Sequence, residues 1–266
     1  MKRGHKCALV VLISCLCLSS QATDITPFQF SVLAPGQLFG SNKSVAGLRL
    51  GVIYARNKSL YGFDIGTGIN SLKEDLYGFQ IAMVGNTAKS ANGFQIGILG
   101  NKTEQLRGAQ VGLFNMANDA AAIQIGMNAK VNGNMIGIQI SCSPFFWVPA
   151  LSGNRVQDRM HGIQIGLASR ATEMYGMQDG LLVNMATICR GTQIGLVNLT
   201  RDMKGIQLGG VNIFMPPNLK HPTPSTGTSV TGIQIGAFNI GGKVRGLQIG
   251  LYNSAMDMKG VQIGAA

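Results

Sequence analysis

A short repeat constrains this chain more than any other feature of its sequence. Its clearest copies, such as those beginning at Gly162 and Gly246, read Gly-x-Gln-Ile-Gly-Leu. Eleven of the thirteen spacings between successive copies are 14, 15 or 16 residues. A unit this short cannot bury its own apolar residues, so successive copies must stack on one another. The fourteen copies begin at Gly47, Gly62, Gly78, Gly93, Gly108, Ala122, Gly137, Gly162, Gly176, Gly191, Gly205, Gly232, Gly246 and Gly260.

Polarity alternates within each copy with a period of two residues. Positions 2, 4 and 6 are apolar, whereas positions 1, 3 and 5 are Gly, Gln and Gly, with Gln at position 3 in twelve copies. This alternation predicts a β-strand with one apolar and one polar face. Asn follows the strand in most copies and favours a turn. The predicted fold class is therefore all-β, a repeat array of 14–15-residue units.

Two architectures satisfy this pattern. In a parallel β-solenoid each copy forms one coil, the apolar side chains point inward, and Gln and Asn stack in amide ladders. In an antiparallel outer-membrane β-barrel each copy forms one strand, with apolar positions toward lipid and Gly and Gln toward the lumen. Three apolar positions are few for a lipid-facing band, and the turns are nearly uniform, which favours the solenoid. The barrel stays open as the alternative, because both long insertions follow odd-numbered copies.

The first 22 residues have the features of a secretory signal peptide. Lys2, Arg3 and Lys6 form a positive segment, Ala8–Leu18 is apolar, and small residues precede a cleavage site after Ala22. The apolar run is too short to span a membrane as a helix. The sequence therefore predicts an exported protein, with lipidation at Cys15 as an alternative to cleavage after Ala22.

The chain after the signal peptide divides into a lead-in and the repeat array. Residues 23–46 contain a degenerate copy, Pro27–Val32, which we expect to cap the array. Residues 47–266 contain the fourteen copies. The two long spacings, of 25 and 27 residues, predict inserted loops at about 143–160 and 214–230.

The repeat resembles the bacterial surface-exposed Gly-x-Gln-Ile-Gly-Leu-x-Asn repeat proteins. The resemblance covers residues 27–266, and the early copies around Gly47 and Gly62 also resemble early copies of that family. It implies export and a cell-envelope or surface setting, and it implies no enzymatic activity. Family members often end in an aromatic residue, whereas this sequence ends in Ala266.

Charge and cysteine content narrow the possible partners. The formal net charge is +11, and removal of the three leader cations leaves about 11 − 3 = +8. The cations occur singly, about one per copy, rather than in clusters with aromatic residues, so nucleic acid is not an expected partner. Cys142 and Cys189 occupy different repeat positions two copies apart, so we expect two unpaired thiols.

The sequence offers no arrangement typical of catalysis. After the leader the only histidines are His161, expected in a solvated turn, and His221, in a Pro-rich loop. No Cys/His spacing matches a zinc site, and the Gly-x-Gln-x-Gly stretches lack the spacing of a dinucleotide-binding loop. We therefore expect a non-enzyme with no catalytic residue, metal or cofactor.

Three charged residues depart from the repeat. Asp179 replaces the apolar position 4, and we interpret it as part of a one-residue bulge that shifts it into the Gln column. Arg49 and Asp64 occupy position 3 in adjacent copies. They could form an exposed cross-strand pair worth at most about 1 kcal/mol.

The first inserted loop contains the best candidate for a partner contact. Phe145, Phe146 and Trp147 are consecutive there, and Trp147 is the only Trp of the chain. An apolar loop can contact a partner or a membrane, or it can fold back on its own coil. The sequence as a whole predicts a structural or binding role at the cell envelope, through the Gly/Gln face or the loops. A glycan, another envelope protein, a membrane and a second copy remain open as partners.

Overall fold

The computed structural model describes residues 24–142, 153–214 and 229–264. The chain divides into two compact units, one ending at Ile98 and the other running from Leu99 to Ala266. Strands dominate both units, and no helix occurs in the described ranges. The all-β prediction is therefore confirmed.

The first unit is a stack of parallel coils. Its sheet order is β7-β6-β4-β3-β1-β2, and β5 pairs with β3 and β7. All its pairings are parallel except the short antiparallel contact between β1 and β2. The strands are β1 (Ile25–Leu33), β2 (Gly36–Gln37), β3 (Ser44–Asn57), β4 (Leu60–Gly66), β5 (Ile69–Leu72), β6 (Asp75–Ala82) and β7 (Gly85–Gly97).

The second unit repeats this arrangement over more coils. Its long strand winds through four copies without interruption and includes residues 154–160, which we had assigned to the first inserted loop. The strands are β8 (Gly100–Val111), β9 (Phe114–Ala117), β10 (Asp119–Gly126), β11 (Asn128–Val131), β12 (Met135–Ser141), β13 (Asn154–Phe214), β14 (Ser229–Ile235), β15 (Phe238–Ile249) and β16 (Tyr252–Ile263).

Successive copies pair in register, which distinguishes between the two predicted architectures. Gly232 lies opposite Gly246, and Gly246 lies opposite Gly260. The same correspondence holds across the second insertion, where Gly205 pairs with Gly232. Each repeat is thus one coil of a parallel β-solenoid, and the antiparallel barrel, with the pore it would have formed, is set aside.

The polarity of the coils is the reverse of our expectation. The Gln side chains of position 3 point inward and are fully buried, except Gln262 in the last copy, whereas the apolar side chains of positions 2 and 4 point outward. Ile235, for example, is 41% exposed, while the neighbouring Gln234 is 1% exposed. Burial of the amides is not costly because each finds a hydrogen-bond partner in the next coil. The Gly/Gln face is therefore not a binding surface.

The predicted amide ladders are present, and they run in opposite directions along the stack. Each Gln donates to the preceding copy, as in Gln248 Nε2 to Gln234 Oε1 at 2.7 Å. Each Asn donates to the following copy, as in Asn198 Nδ2 to Asn212 Oδ1 at 2.8 Å. Asn198 Nδ2 also donates to the backbone carbonyl of Leu208 at 2.9 Å. The Asn amide therefore binds the backbone of the next coil at its position 4.

This Asn contact explains the Gly at position 5. A Cβ on Gly209 would lie 2.7 Å from Asn198 Nδ2 and 2.1 Å from the carbonyl oxygen of Gly195. Gly leaves the most room for the amide of the preceding coil, and the two exceptions at position 5 are the small residues Ala82 and Ser141. The Gly at position 1 has a different cause, since Gly246 has a φ of +141° and its Cβ would lie 2.0 Å from the carbonyl oxygen of Gly232.

The largest apolar side chains of the interior come from position −2, two residues before each Gly. Leu60, Leu76, Met174 and Met203 are completely buried at this position. A second inward column, two residues after the Asn, contains smaller residues such as Ala117 and Val131. The interior is therefore narrow, and its Gln and Asn amides are as important to packing as its hydrocarbon.

Candidate functional site

The candidate site is the outward face of the coils, which we define as the side chains at positions −1, 2, 4 and 6. Side chains on a strand alternate between faces, so the inward Gln and Gly place these four positions outside. Many are large and apolar, and the most exposed of them range from 36% for Leu113 to 66% for Leu251. Buried Gln and exposed Ile thus produce a surface of apolar columns along the stacking direction.

In the first unit the outward face is aromatic and aliphatic. Phe63, Phe79 and Phe94 stack at position 2, with ring centroids 5.3 and 5.0 Å apart and nearly parallel planes. Tyr61 and Tyr77 stack at position −1 with centroids 5.2 Å apart. Because each ring covers its neighbour's face, the ladder presents ring edges outward. This surface favours apolar contact over stacking of a sugar ring on an aromatic face.

In the second unit the position −1 column becomes cationic toward the C-terminus. Arg190, Lys204, Arg245 and Lys259 occupy this position in four of the last five copies, and Thr231 occupies it in the fifth. The register places Lys204 opposite Thr231, Thr231 opposite Arg245, and Arg245 opposite Lys259. All five side chains are exposed. We call these five residues the cation column.

The cation column has no carboxylate partner in the described part of the chain. The ion pairs there join Arg49 to Asp64, Lys58 to Glu74 and Arg159 to Glu173. Arg190 instead lies over the Tyr175 ring, with its guanidinium carbon 5.5 Å from the centroid. Tyr175 stacks in turn on His161 at 4.6 Å, so His161 belongs to an outward ladder rather than to a solvated turn.

Asp179 marks a break in the apolar columns. Gln178, and not Asp179, occupies the Gln column, because Gln178 donates to Gln164 and accepts from Gln193, both at 2.8 Å. Our interpretation that a bulge moves Asp179 into the Gln column is therefore wrong. Asp179 stays at position 4 and is half-buried on the outward face. The last five copies lie beyond this break.

Arg49 and Asp64 form a buried ion pair, which corrects the prediction of an exposed one. Both side chains are fully buried. Arg49 Nε donates to Asp64 Oδ1 at 2.8 Å, and Arg49 Nη2 donates to Asp64 Oδ2. Arg49 Nη1 donates to the carbonyl of Ser71, and Gln80 Nε2 donates to Asp64 Oδ2, both at 3.0 Å. The pair thus replaces one link of the Gln ladder and belongs to the core.

The two cysteines within the described ranges are unpaired and differ in their surroundings. Cys142 is exposed, whereas Cys189 is buried at position −2. Burial raises the pKa of the Cys189 thiol to about 12, because a thiolate there would lose its hydration. Cys189 is therefore a neutral core residue at physiological pH.

Other features of the described residues suggest little chemistry. A shallow cleft of about 290 Å³ in the second unit is lined by Gln105, Arg107, Asp119 and Asn134 together with four apolar residues. The Asp119 carboxylate in this cleft already accepts a hydrogen bond from the backbone N–H of Asn134 at 2.9 Å. Groups of three or more potential metal ligands are not found in this part of the chain. The same residues contain no helix long and apolar enough to cross a membrane.

Several residues singled out in the sequence lie outside the described ranges. Phe145, Phe146 and Trp147, proposed as a partner contact, are among them, as are His221 and the signal peptide. Their roles stay predictions.

Comparison with known proteins provides no family assignment. No protein-family model, curated protein or solved structure matches the chain. The outward face therefore has to be interpreted from its own chemistry.

The sequence reasoning missed the outward apolar face, although two signals pointed to it. A column that faces solvent tolerates a single charge. Asp179 is such a charge at position 4, and the adjacent copies have no opposite charge at that position. A buried column requires compensation, and position 3 carries its two charges, Arg49 and Asp64, in adjacent copies with opposite sign.

Proposed function

We propose that this protein is an exported repeat protein of the cell envelope or cell surface, with a structural or binding role rather than a catalytic one. The apolar outward face is the observation that carries this proposal. Soluble monomers rarely expose contiguous apolar patches of more than a few hundred Å². Ten coils spaced at about 4.8 Å, with three apolar columns about 7 Å apart, extend over roughly 600 Å² in the second unit.

The rigidity of the interior supports a binding role. Hydrogen bonds between consecutive Gln amides, such as the one of 2.8 Å from Gln207 to Gln193, fix the spacing of the coils. Every outward side chain is attached to this framework, so a partner would meet a surface already ordered before binding. The signal-like leader and the resemblance to bacterial surface repeat proteins both favour the envelope as the place where that partner lies.

Export is tested by expressing the full chain in a Gram-negative bacterium and separating the cytoplasmic, membrane, periplasmic and secreted fractions. We expect the product to leave the cytoplasm, with an N-terminus created by processing of the leader. As a matched control, Val10→Arg and Leu12→Arg interrupt the apolar segment of the leader and should retain the chain in the cytoplasm. An unprocessed product found in the cytoplasm for both forms would contradict the proposal.

A further inference from the structure

We propose that the outward face of the last five coils binds the surface of an anionic lipid bilayer. This inference rests on the proposed binding role and names its partner. The relevant surface combines the cation column with the apolar residues beside it, and it begins after the break at Asp179.

Cations and apolar residues alternate on each of these coils. Lys204 is followed by Gly205 and then by Ile206, whose side chain is 39% exposed on the same face. Lys259 is likewise followed by Gly260 and Val261, which is 55% exposed. The cation column therefore lies about 7 Å from the nearest apolar column and parallel to it. This order, with cations along one border of an apolar surface, is that of an interfacial membrane-binding element.

The electrostatics call for an anionic partner. Neighbouring residues of the column are about 5 Å apart, and like charges directly opposite each other on adjacent strands destabilise the sheet. Positions −1, 2, 4 and 6 of these five copies contain no Asp or Glu. The nearest acids on the same strands are Asp202 and Asp257, at position −3, on the side of the column away from the apolar residues. Lipid phosphates would supply the missing anions, while the long Lys and Arg side chains reach the headgroups.

A second copy of the chain fits this surface less well. It would cover the apolar columns, but it would bring the same cations and no acids. An anionic bilayer complements both parts of the surface at once, because headgroups face the cation column while acyl chains face Ile206, Ile235 and Leu251. The charge pattern therefore selects the bilayer.

The test measures binding of the mature full chain to vesicles of phosphatidylcholine, with and without phosphatidylglycerol, by flotation. We expect binding to the anionic vesicles, decreasing with salt. Replacing Arg190, Lys204, Arg245 and Lys259 by Gln should lower the partition coefficient by at least about 100-fold, since each cation contributes about fivefold.

A matched control removes the same number of charges from another outward column. Lys102, Lys130, Arg155 and Arg170 each follow the residue of the Asn column, on a different strand from the cation column. Lys130 pairs with Arg155, and Met116 lies between Lys102 and Lys130. Their replacement by Gln should lower binding less than about fivefold. Circular dichroism verifies that both variants keep their β-structure, which we expect because all eight side chains point away from the interior.

Three results would overturn the proposal. Equal losses in the two quadruple variants would mean that net charge alone drives binding. Equal binding to neutral and anionic vesicles would remove the role of the cation column. Absence of vesicle binding together with dimers in light scattering would assign the surface to a second copy. Export is measured separately. If only lipid binding fails, the proposed envelope function is still supported by export, and if only export fails, the lipid interaction is still supported by vesicle binding.

Discussion

The first unit and the last five coils of the second unit follow the same repeat but differ in what they present outside. The outward face of the first unit has Tyr and Phe ladders and no charged residue at positions −1, 2, 4 and 6. The last five coils have aliphatic columns bordered by the cation column. Inside, both regions keep the Gln column, with bonds of 2.8 Å between Gln95 and Gln80 and 2.7 Å between Gln234 and Gln207. The geometry of the interior thus restricts which residues can occupy the inward positions of every coil. The residues at the outward positions can differ from one region to the other.

The largest effect should come from the place where the interior of the first unit holds a charged pair in the Gln column. Asp64→Ala leaves the Arg49 guanidinium buried without its carboxylate, and we expect a loss of about 3–5 kcal/mol in the free energy of unfolding. The double variant Arg49→Gln/Asp64→Gln should regain most of this, because it restores the Gln ladder that the last five coils have. Urea denaturation measures both.

An exposed pair provides the control for this prediction. Lys58 and Glu74 are separated by 4.0 Å with side chains about half exposed, so Glu74→Ala should cost less than about 1 kcal/mol. If Asp64→Ala lowered the free energy of unfolding as little as Glu74→Ala, the buried pair would not be needed for the stability of the first unit.

A second prediction is that substitution of the Gly at position 1 destabilises the two regions equally. Gly78→Ala and Gly246→Ala place a Cβ 2.1 and 2.0 Å from a backbone oxygen at a positive φ. Each should destabilise its region by about 3 kcal/mol, since the backbone of two coils must shift. Gly210→Ala, whose nearest neighbour is the flexible Leu196 side chain at 3.1 Å, is the control and should cost less than about 1 kcal/mol. Unequal shifts in the urea midpoints of Gly78→Ala and Gly246→Ala would mean that their interiors are built differently.

A third prediction separates inside from outside within each region. Leu76→Ala and Met203→Ala remove fully buried side chains and should cost about 2–5 kcal/mol. Phe79→Ala and Ile206→Ala, which truncate outward side chains, should cost about 1 kcal/mol or less, with Phe79 losing its two ring contacts. Thermal or urea unfolding of the four variants checks this order, and a reversed order would refute the assignment of the apolar columns to the outside.

The smallest expected effect on stability near neutral pH concerns Cys189. Because burial raises the pKa of its thiol to about 12 from an ordinary 9.0, the folded protein holds this proton more tightly than the unfolded chain. Stability is thus unaffected below about pH 9 and declines as the pH rises from 9 toward 12. Near pH 8 a thiol reagent should modify the exposed Cys142 and leave Cys189 unmodified until urea is added. Rapid labelling of Cys189 in the folded protein would contradict its burial.

The repeat allowed the β-structure, the coil architecture and the amide ladders to be predicted, because periodicity alone determines which residues stack. It did not determine which face turns inward. Hydrophobicity argued that Ile should be buried, whereas the narrow interior favours flat amides that satisfy one another, with Gly209 leaving room for Asn198. Single residues such as Asp179 indicated which face is exposed, because a charge at an apolar position is typical of a solvent-facing column. They have this meaning only when they are not treated as irregularities of the repeat.

The opposite directions of the two amide ladders have a consequence for how such a chain can change in length. In an α-helix the peptide dipoles add, and the helix acquires a macrodipole. In this stack the Gln amides donate toward the N-terminus and the Asn amides toward the C-terminus. Their dipoles therefore oppose each other coil by coil, and an additional coil adds little net dipole. Evolution can thus insert or delete whole copies without an accumulating electrostatic cost, which leaves the number of copies free to vary.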